Sequence, residues 1–237
     1  MRNMLQSNLG LITRRQMLPP FGYFFVSDLV ISDGVIRSDN RGGESLFPLY
    51  ISVEKNKSVE KRANINPALK EELLSIYAQN VTPEEIFYYI YAIFYSNKFR
   101  AKYAEFLKSD YPRVPFAKEY KSFRSLSEIG QNLVSLHLMK VKLDSSVKFD
   151  VQGSNLVECV EYRDGKVFIN EKQFFDGIPK YTWSFSIGAY QVLDKWLKSR
   201  KNRELVSAEI EQFIQIVEII NKTLEWMQRI DEIPFLD

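Results

Sequence analysis

The sequence predicts an α+β fold, with a strand-rich N-terminal part, a helical body, an inserted β-hairpin and a long C-terminal helix. Short apolar runs between turn residues fill residues 8–53. Apolar residues then recur at helical spacing from Thr82 onward, and the pair Asp164-Gly165 separates two alternating runs. At 237 residues the chain is long enough for a substantial core.

The strands are predicted from the runs "YFFVSDLVIS" and "GVIRS", which flank the turn pair Asp33-Gly34, and from "SLFPLYISV". The charged stretch from Lys55 to Asn64 is predicted to be a surface loop. Residues 1–65 therefore form a β-rich subregion. Residues 66–237 are mainly helical and contain a hairpin over residues 156–170, within one recognition domain that spans residues 1–237.

The strongest helix signal is "TPEE", in which Thr82 caps the helix, Pro83 takes its first position and Glu85 completes a capping box. The residues that follow are apolar almost all round, which predicts a deeply buried helix. Further helices are predicted over Ser96–Lys108, Lys118–Met139 and Ser186–Arg200, and from a cap at Ser207 onward.

Three aromatic residues alternate before the predicted Ser186 helix, as strand residues that face one side would: Tyr181, Trp183 and Phe185. A platform on which flipped bases stack is one interpretation. Core packing is favoured because the side chains are large and a buried helix is predicted next to them.

The composition is that of a globular protein and excludes several classes. The single cysteine, Cys159, rules out an intramolecular disulfide and fits a reducing cytoplasm, where we expect the protein to reside. The first twenty residues are too polar for a signal peptide, and the longest apolar run is too short to span a membrane. No membrane partner is expected.

The motifs of common catalytic sites are missing. The sequence lacks a phosphate-binding G-x-x-x-x-G-K-[ST] loop and a G-x-G-x-x-G turn, and Asn66-Pro67 lacks the second proline and aromatic residue of an adenine methyltransferase. The only histidine, His137, is interpreted as a packing residue, and Cys159 as a structural cysteine. With no metal site predicted, the chain is not expected to be an enzyme on its own.

Charge is distributed unevenly although the net charge is only +2. Residues 97–124 contain eight basic and three acidic residues, and residues 195–203 contain five basic residues and no acid. This asymmetry points to a polyanion partner on one face. Compact cations near helix ends suit phosphate oxygens, although the helix dipole alone also favours them there. The candidate phosphate contacts are Lys98, Arg100, Lys102, Lys118, Lys121, Lys198, Arg200, Lys201 and Arg203.

Two polar segments carry the side chains that read base edges. Arginine reads guanine with two hydrogen bonds, and amides read adenine. The candidate base contacts are Arg14, Arg15 and Gln16 in "LITRRQM" and Arg37, Asn40 and Arg41 in "RSDNRGGES". The alternatives are a solvated loop for the first segment and an ordinary hairpin loop for the second.

Several ordered motifs together resemble the C-terminal specificity region of the type ISP restriction–modification enzymes: "NLGLITRRQ", "FFVSDLVISD", "LFPLYI", "TPEEIFYYIYAIFYSNKFRAKYAEFLKSDYPRVPF", "VFIN", "QFFDGIP" and "WSFSIGAYQVLDKWLKSRK". In that family one polypeptide carries a nuclease, a helicase-like ATPase, an N6-adenine methyltransferase and, last, a target recognition domain. The resemblance implies that the chain is a fragment or a truncated product of such a polypeptide.

What the resemblance implies for function is recognition of double-stranded DNA beside an adjacent methyltransferase domain, into which an adenine is flipped. S-adenosylmethionine, ATP and magnesium are then expected only in the parent polypeptide. The alternative is a protein-interaction or structural module that docks on a partner domain without binding DNA, and it predicts an exposed apolar patch.

Overall fold

The structure of the protein is a computed structural model, which describes residues 2–17, 19, 22, 24–32, 43–55, 58–188 and 190–236. The chain divides into two compact units, of which the first comprises residues 1–140 and 226–237 and the second residues 141–225. Helices and small antiparallel sheets confirm the predicted α+β class. That residues 1–237 act as one recognition domain stays a prediction.

Three short strands begin the first unit: β1 (Gly10–Thr13), β2 (Phe25–Ser27) and β3 (Ser45–Pro48). They form one antiparallel sheet in the order β2-β1-β3, in which Leu11 lies opposite Val26 and Phe47. Among the described residues of the predicted run "YFFVSDLVIS", only β2 is strand. The turn pair Asp33-Gly34 and the run "GVIRS" lie outside the described residues.

A two-stranded antiparallel ribbon follows, built from β4 (Tyr50–Lys55) and β5 (Ser58–Ala63). The run "SLFPLYISV" is therefore two strands, separated at Leu49, which is buried and donates its N–H to the Leu9 carbonyl. The surface loop predicted from Lys55 to Asn64 is wrong, because most of it is β5. Its charged residues concealed the strand, since a ribbon held by backbone pairing needs no apolar face.

Five helices complete the body of the first unit: α1 (Pro67–Tyr77), α2 (Pro83–Tyr95), α3 (Asn97–Lys102), α4 (Ala104–Ser109) and α5 (Tyr120–His137). The start of α2 confirms the prediction: Thr82 Oγ1 accepts the Glu85 N–H at 3.1 Å, and Glu85 Oε2 accepts the Thr82 N–H at 2.7 Å. The helix predicted from Ser96 is present as α3 and α4, which are separated at Tyr103.

The core of the first unit lies where α2 packs against α5. The α2 residues Ile86, Tyr89, Tyr91 and Ile93 are fully buried, which confirms the predicted burial of this helix. The predicted apolar positions of α5 are buried too: Phe123, Leu126, Ile129, Leu133 and Leu136. Gly130 allows the close approach, because a Cβ at this position would lie 1.8 Å from the Tyr88 carbonyl oxygen.

The second unit contains a three-stranded antiparallel sheet of β6 (Glu161–Arg163), β7 (Lys166–Phe168) and β8 (Phe174–Asp176), in that order. Asp164 and Gly165 have φ values of 46° and 83°, as a two-residue hairpin turn requires. The predicted hairpin is confirmed, and β8 extends it. Cys159, interpreted from the sequence as a structural cysteine, is exposed.

The segment after this sheet corrects two predictions. It contains α6 (Lys180–Trp183), β9 (Ser186–Ile187), β10 (Tyr190–Gln191) and α7 (Val192–Lys198). Ser186 therefore opens a hairpin, with Gly188 at a φ of 57°, and the helix begins only at Val192. Tyr181 and Trp183 lie on α6 rather than on a strand. Trp183 stacks on Tyr162 at 5.6 Å, as packing requires.

The chain ends in the long helix α8 (Ser207–Glu232), whose last residues belong to the first unit. Within the second unit its residues Phe213, Val217 and Ile220 are buried in one apolar core with residues of the sheet and of α7. Ser207 is the first helical residue rather than the cap. The Glu209 carboxylate instead accepts the Val206 N–H at 3.2 Å.

Candidate nucleic-acid interface

The first candidate base-reading segment follows β1 and is tied to the end of α4. Met17 donates its N–H to the Leu107 carbonyl at 2.8 Å, and Gln16 Nε2 lies 3.4 Å from the Ser109 carbonyl oxygen. Arg15 is exposed, and its Nε donates to Asp110 Oδ1 at 3.1 Å. The pKa of the Asp110 carboxyl is lowered below its usual value, mainly by the hydrogen bond from the Tyr111 N–H and next by the one from Arg15.

The three residues of this segment differ in what they present to solvent. Arg15 and Gln16 are exposed, whereas Arg14 is only 7% exposed. A side chain buried to this degree has little surface to offer a base edge, so Arg15 and Gln16 remain the stronger candidates. The other predicted base contacts, Arg37, Asn40 and Arg41, lie outside the described residues.

The candidates on α3 split into one inward and two outward side chains. Arg100 Nε donates to the Phe94 carbonyl at 2.7 Å, and its guanidinium lies 5.3 Å from the Tyr95 ring centre. Burial lowers the pKa of Arg100. These contacts hold Arg100 against the core, and its predicted phosphate contact stays a prediction. Lys98 and Lys102 are exposed, and Lys98 Nζ donates to the Asp231 carbonyl at the end of α8.

Two predicted phosphate contacts converge on one cleft of the first unit. Lys102 and Lys118 both line a cleft of about 310 Å³ with the aromatic side chains of Tyr103, Phe116 and Phe235. Lys121 is exposed on the first turn of α5. The charge pattern thus located a cationic edge in this unit, although sequence spacing alone did not indicate a shared cleft.

The basic cluster of the second unit is largely neutralised. Arg200 Nε donates to Glu209 Oε1 at 3.0 Å, and Arg203 donates to both Glu209 oxygens at 2.6 and 3.0 Å. Hydrogen bonds from Arg203 first, with smaller contributions from the Val206 N–H and Arg200, lower the pKa of Glu209 to about 2. Arg200 also lies over the Trp196 ring at 3.4 Å.

The two lysines of this cluster differ in whether a carboxylate pairs with them. Lys198 pairs with Asp194 at 2.8 Å one helical turn away. Lys201 is exposed, and its side chain makes no hydrogen bond or ion pair with any residue that the structure describes. Neighbouring carboxylates therefore pair with the side chains of Lys198, Arg200 and Arg203, and the phosphate contacts predicted for this cluster stay predictions.

Sequence reasoning missed the ribbon formed by β4 and β5, which carries Lys61 and Arg62 in exposed positions. The stretch was interpreted as a loop because charged residues dominate it. The available signal was the equal length of two runs: the six residues before Asn56-Lys57 and the six residues after it pair one to one.

Among the described residues, no group of three or more His, Cys, Asp and Glu side chains is placed to hold a metal ion. None of the helices described here is long and apolar enough to cross a membrane. His137, as predicted, is a packing residue: it lies 2.8 Å from the Tyr91 hydroxyl, and burial lowers its pKa to about 4.

The chain belongs to the Type ISP C-terminal specificity domain family, whose model matches residues 1–229. The resemblance identified in the sequence is thereby confirmed. No curated protein matches the chain.

Three solved structures have a similar fold. They are the ATP-dependent Type ISP restriction-modification enzyme LlaBIII bound to DNA (17% identity, TM-score 0.72), a nuclease-deletion mutant of the Type ISP enzyme LlaGI in complex with a DNA substrate mimic (16%, 0.69) and a DrdV–DNA complex (19%, 0.73). The matches cover 98%, 98% and 96% of this chain. They cover only 16%, 18% and 25% of the three solved chains.

Proposed function

We propose that the chain is the sequence-specific, double-stranded DNA recognition domain of a type ISP restriction–modification polypeptide. The observation that carries this proposal is the match of the specificity-domain family over residues 1–229. The DNA present in the three similar structures supports the choice of ligand. Both observations fit a domain that binds DNA and carries no catalytic motif of its own.

The side chains divide into two roles. Lysines position a duplex by contacting phosphates, which carry no sequence information, and base edges are read by side chains with paired donors and acceptors. Lys102 and Lys118, which share one cleft, and the exposed Lys121 and Lys201 suit the first role. Arg15 and Gln16 suit the second, together with the predicted Arg37, Asn40 and Arg41.

The enzymatic steps belong, in this proposal, to the rest of the parent polypeptide. A nuclease, an ATPase and an N6-adenine methyltransferase would use magnesium, ATP and S-adenosylmethionine there. The specificity domain would hold the site so that an adenine can be flipped into the adjacent methyltransferase domain. The small share of the solved chains that this chain covers supports such a division of labour.

Selection of bound duplexes from a random-sequence pool tests the proposal directly. The expected result is enrichment of one short asymmetric site and binding that weakens steeply with salt, because each neutralised phosphate releases counterions. Replacing both Lys102 and Lys118 with alanine should lower the slope of log K against log salt by about 1.8, at about 0.9 for each contact. Enrichment of no sequence would contradict specific recognition.

One observation favours the alternative of a docking module. Helix α1 buries only the stripe that contains Leu73 and Tyr77, and it exposes Leu74 and Ile76 at 44% and 49%. A docking module predicts that the chain binds no duplex at low salt. It also predicts that Leu74→Ser with Ile76→Ser abolishes binding to the parent polypeptide's remaining domains. A recognition domain retains duplex binding in this double variant.

A further inference from the structure

The ribbon of β4 and β5 projects from a fixed base. Asn8 bonds to both backbone groups of Tyr50, with its Nδ2 2.8 Å from the Tyr50 oxygen and its Oδ1 3.2 Å from the Tyr50 nitrogen. Asn3 Oδ1 accepts the Ser52 N–H at 2.9 Å, and Asn64 Nδ2 donates to the Pro48 carbonyl at 3.0 Å. These amide side chains make hydrogen bonds to the ribbon's base of the kind that a neighbouring strand would otherwise make.

Contacts at the base also fix the ribbon against α2. The Tyr50 hydroxyl donates to Glu84 Oε1 at 2.5 Å, and this carboxylate raises the pKa of Tyr50 to about 12. Lys61 Nζ lies 4.5 Å from the centre of the Tyr50 ring and 3.2 Å from the Ser7 carbonyl oxygen. Lys61 therefore belongs to the anchor of the ribbon rather than to its free surface.

Several of the described ribbon residues are exposed to solvent. Ser52, Glu60 and Arg62 are exposed, and Val53 is partly exposed. Arg62 lies opposite Ile51 in the register, and its side chain makes no hydrogen bond or ion pair with any residue that the structure describes. An exposed arginine on a rigid strand retains all five of its donors in one plane.

The surroundings of the ribbon point to a duplex. Six residues per strand at about 3.3 Å each make it about 20 Å long. The major groove is about 12 Å wide and admits a two-stranded ribbon. Residues 54–62 contain four basic residues and two acidic ones, which favours a polyanion.

Residues beside the same face of the ribbon flank the second segment that the sequence predicts to read bases. Ile51, the partner of Arg62, lines a cleft of about 580 Å³ together with Ile31, Ser32 and Glu44. The last two residues flank the stretch 33–43, which contains the predicted base contacts Arg37, Asn40 and Arg41. The cleft therefore links the ribbon to the ends of that stretch.

We propose that the ribbon of β4 and β5 enters the major groove of a DNA duplex, with Arg62 as a contact to a base edge or to the phosphate beside it. This inference rests on the proposed function and identifies an element of the site that the charge pattern did not indicate.

Affinity measurements on the full 237-residue chain test the role of Arg62, with a mixed-sequence DNA duplex as the probe. Arg62→Ala should weaken binding about fivefold or more, the loss expected for one good arginine contact. Lys70→Ala is the matched control, because it removes the same charge from an exposed position on α1. Circular dichroism establishes that both variants are folded. Equal affinities for the two variants overturn the role of Arg62.

A crosslinking experiment tests the position of the ribbon. Glu60→Cys in a Cys159→Ser background, modified with an aryl azide, should crosslink to the duplex on illumination. Glu72→Cys on α1, an exposed position treated in the same way, should not. A chain that binds duplex without a crosslink from position 60 overturns the inference and leaves the proposed function standing. Failure of the unaltered chain to bind any duplex overturns both.

Discussion

Arg203 donates two hydrogen bonds to the carboxylate of Glu209, from Nη2 to Oε1 at 2.6 Å and from Nη1 to Oε2 at 3.0 Å. The same carboxylate accepts from Arg200 Nε and from the Val206 N–H. A carboxylate bound by a planar fork of donors occupies the position that a phosphate oxygen pair would otherwise take. Glu209 thus fixes the loop before α8 and begins the helix.

The pH dependence of stability follows from this carboxylate. Its pKa of about 2 in the folded chain lies below the ordinary value of 4.5, so the folded state favours its ionised form. The stabilisation is complete above about pH 4.5 and is lost as the pH falls towards 2. We expect Glu209→Gln to lower the melting temperature at neutral pH, by a difference that shrinks over this range. Thermal unfolding of both chains between these pH values measures it.

Glu211→Gln is the matched control for this prediction. Glu211 is exposed on the same helix, and no hydrogen bond or ion pair joins its side chain to a residue in the described part of the chain. Its substitution should leave the melting temperature nearly unchanged at every pH. A Glu209→Gln chain as stable as the Glu211→Gln chain at pH 7 would show that the arginine fork does not stabilise the fold.

The single histidine provides a second pH-dependent property. His137 is partly buried beside Tyr91 and Tyr95, and desolvation there lowers its pKa from 6.5 to about 4. Between these two values only the unfolded chain binds the proton, so stability falls as the pH decreases from 6.5 to 4, by about 3 kcal/mol in total.

Proton NMR resolves the His137 resonance without ambiguity, because the chain contains one histidine. In the folded chain the resonance should titrate with a pKa of about 4. In urea the same resonance should titrate near 6.5, the ordinary value for histidine. A folded-state midpoint near the urea value would mean that the imidazole is solvated and that the packing around Tyr91 differs from that described.

Close approach of two helices leads to a third prediction. A Cβ at Gly130 would lie 1.8 Å from the Tyr88 carbonyl oxygen, which neither helix backbone can accommodate without shifting. Gly130→Ala should therefore destabilise the chain by about 3 kcal/mol, measured by denaturant unfolding. In a helix without such a contact the same substitution stabilises by about 1 kcal/mol. Gln131→Ala, at an exposed position of α5, is the control and should change little.

Local chemistry made part of the fold predictable. The capping box of Thr82 and Glu85 and the turn pair Asp164-Gly165 are determined by residues a few positions apart, and the structure contains both. The apolar period of α5 was visible for the same reason. These features depend on neighbours in sequence, which spacing and turn chemistry report directly.

The rest depended on distant partners. Asn3 and Asn8 hold the ribbon at Tyr50 and Ser52, more than forty residues away, and no local pattern announces such an anchor. The positive charge of residues 198–203 was visible in the sequence, but its pairing with Asp194 and Glu209 was not. Charge counted along a sequence identifies the ions present, whereas the fold determines which of them remain unpaired.

The unpaired lysine at the end of α7 gives the last prediction. Lys201 is exposed and has no described ionic partner, whereas Lys198 is paired with Asp194 at 2.8 Å. A phosphate contact made by Lys201 costs no ion pair, whereas one made by Lys198 requires Asp194 to be displaced. If the chain binds duplex DNA, Lys201→Ala should lower the slope of log K against log salt by about 0.9, and Lys198→Ala should lower it by less.

The two variants remove the same charge three residues apart, so they control for the general field of the protein. Salt titrations of duplex affinity compare them directly. Equal slopes for both variants would mean that the pairing with Asp194 does not decide which lysine contacts the DNA backbone. A slope unchanged by Lys201→Ala would show that Lys201, the one candidate of the second unit whose side chain has no described ionic partner, makes no phosphate contact.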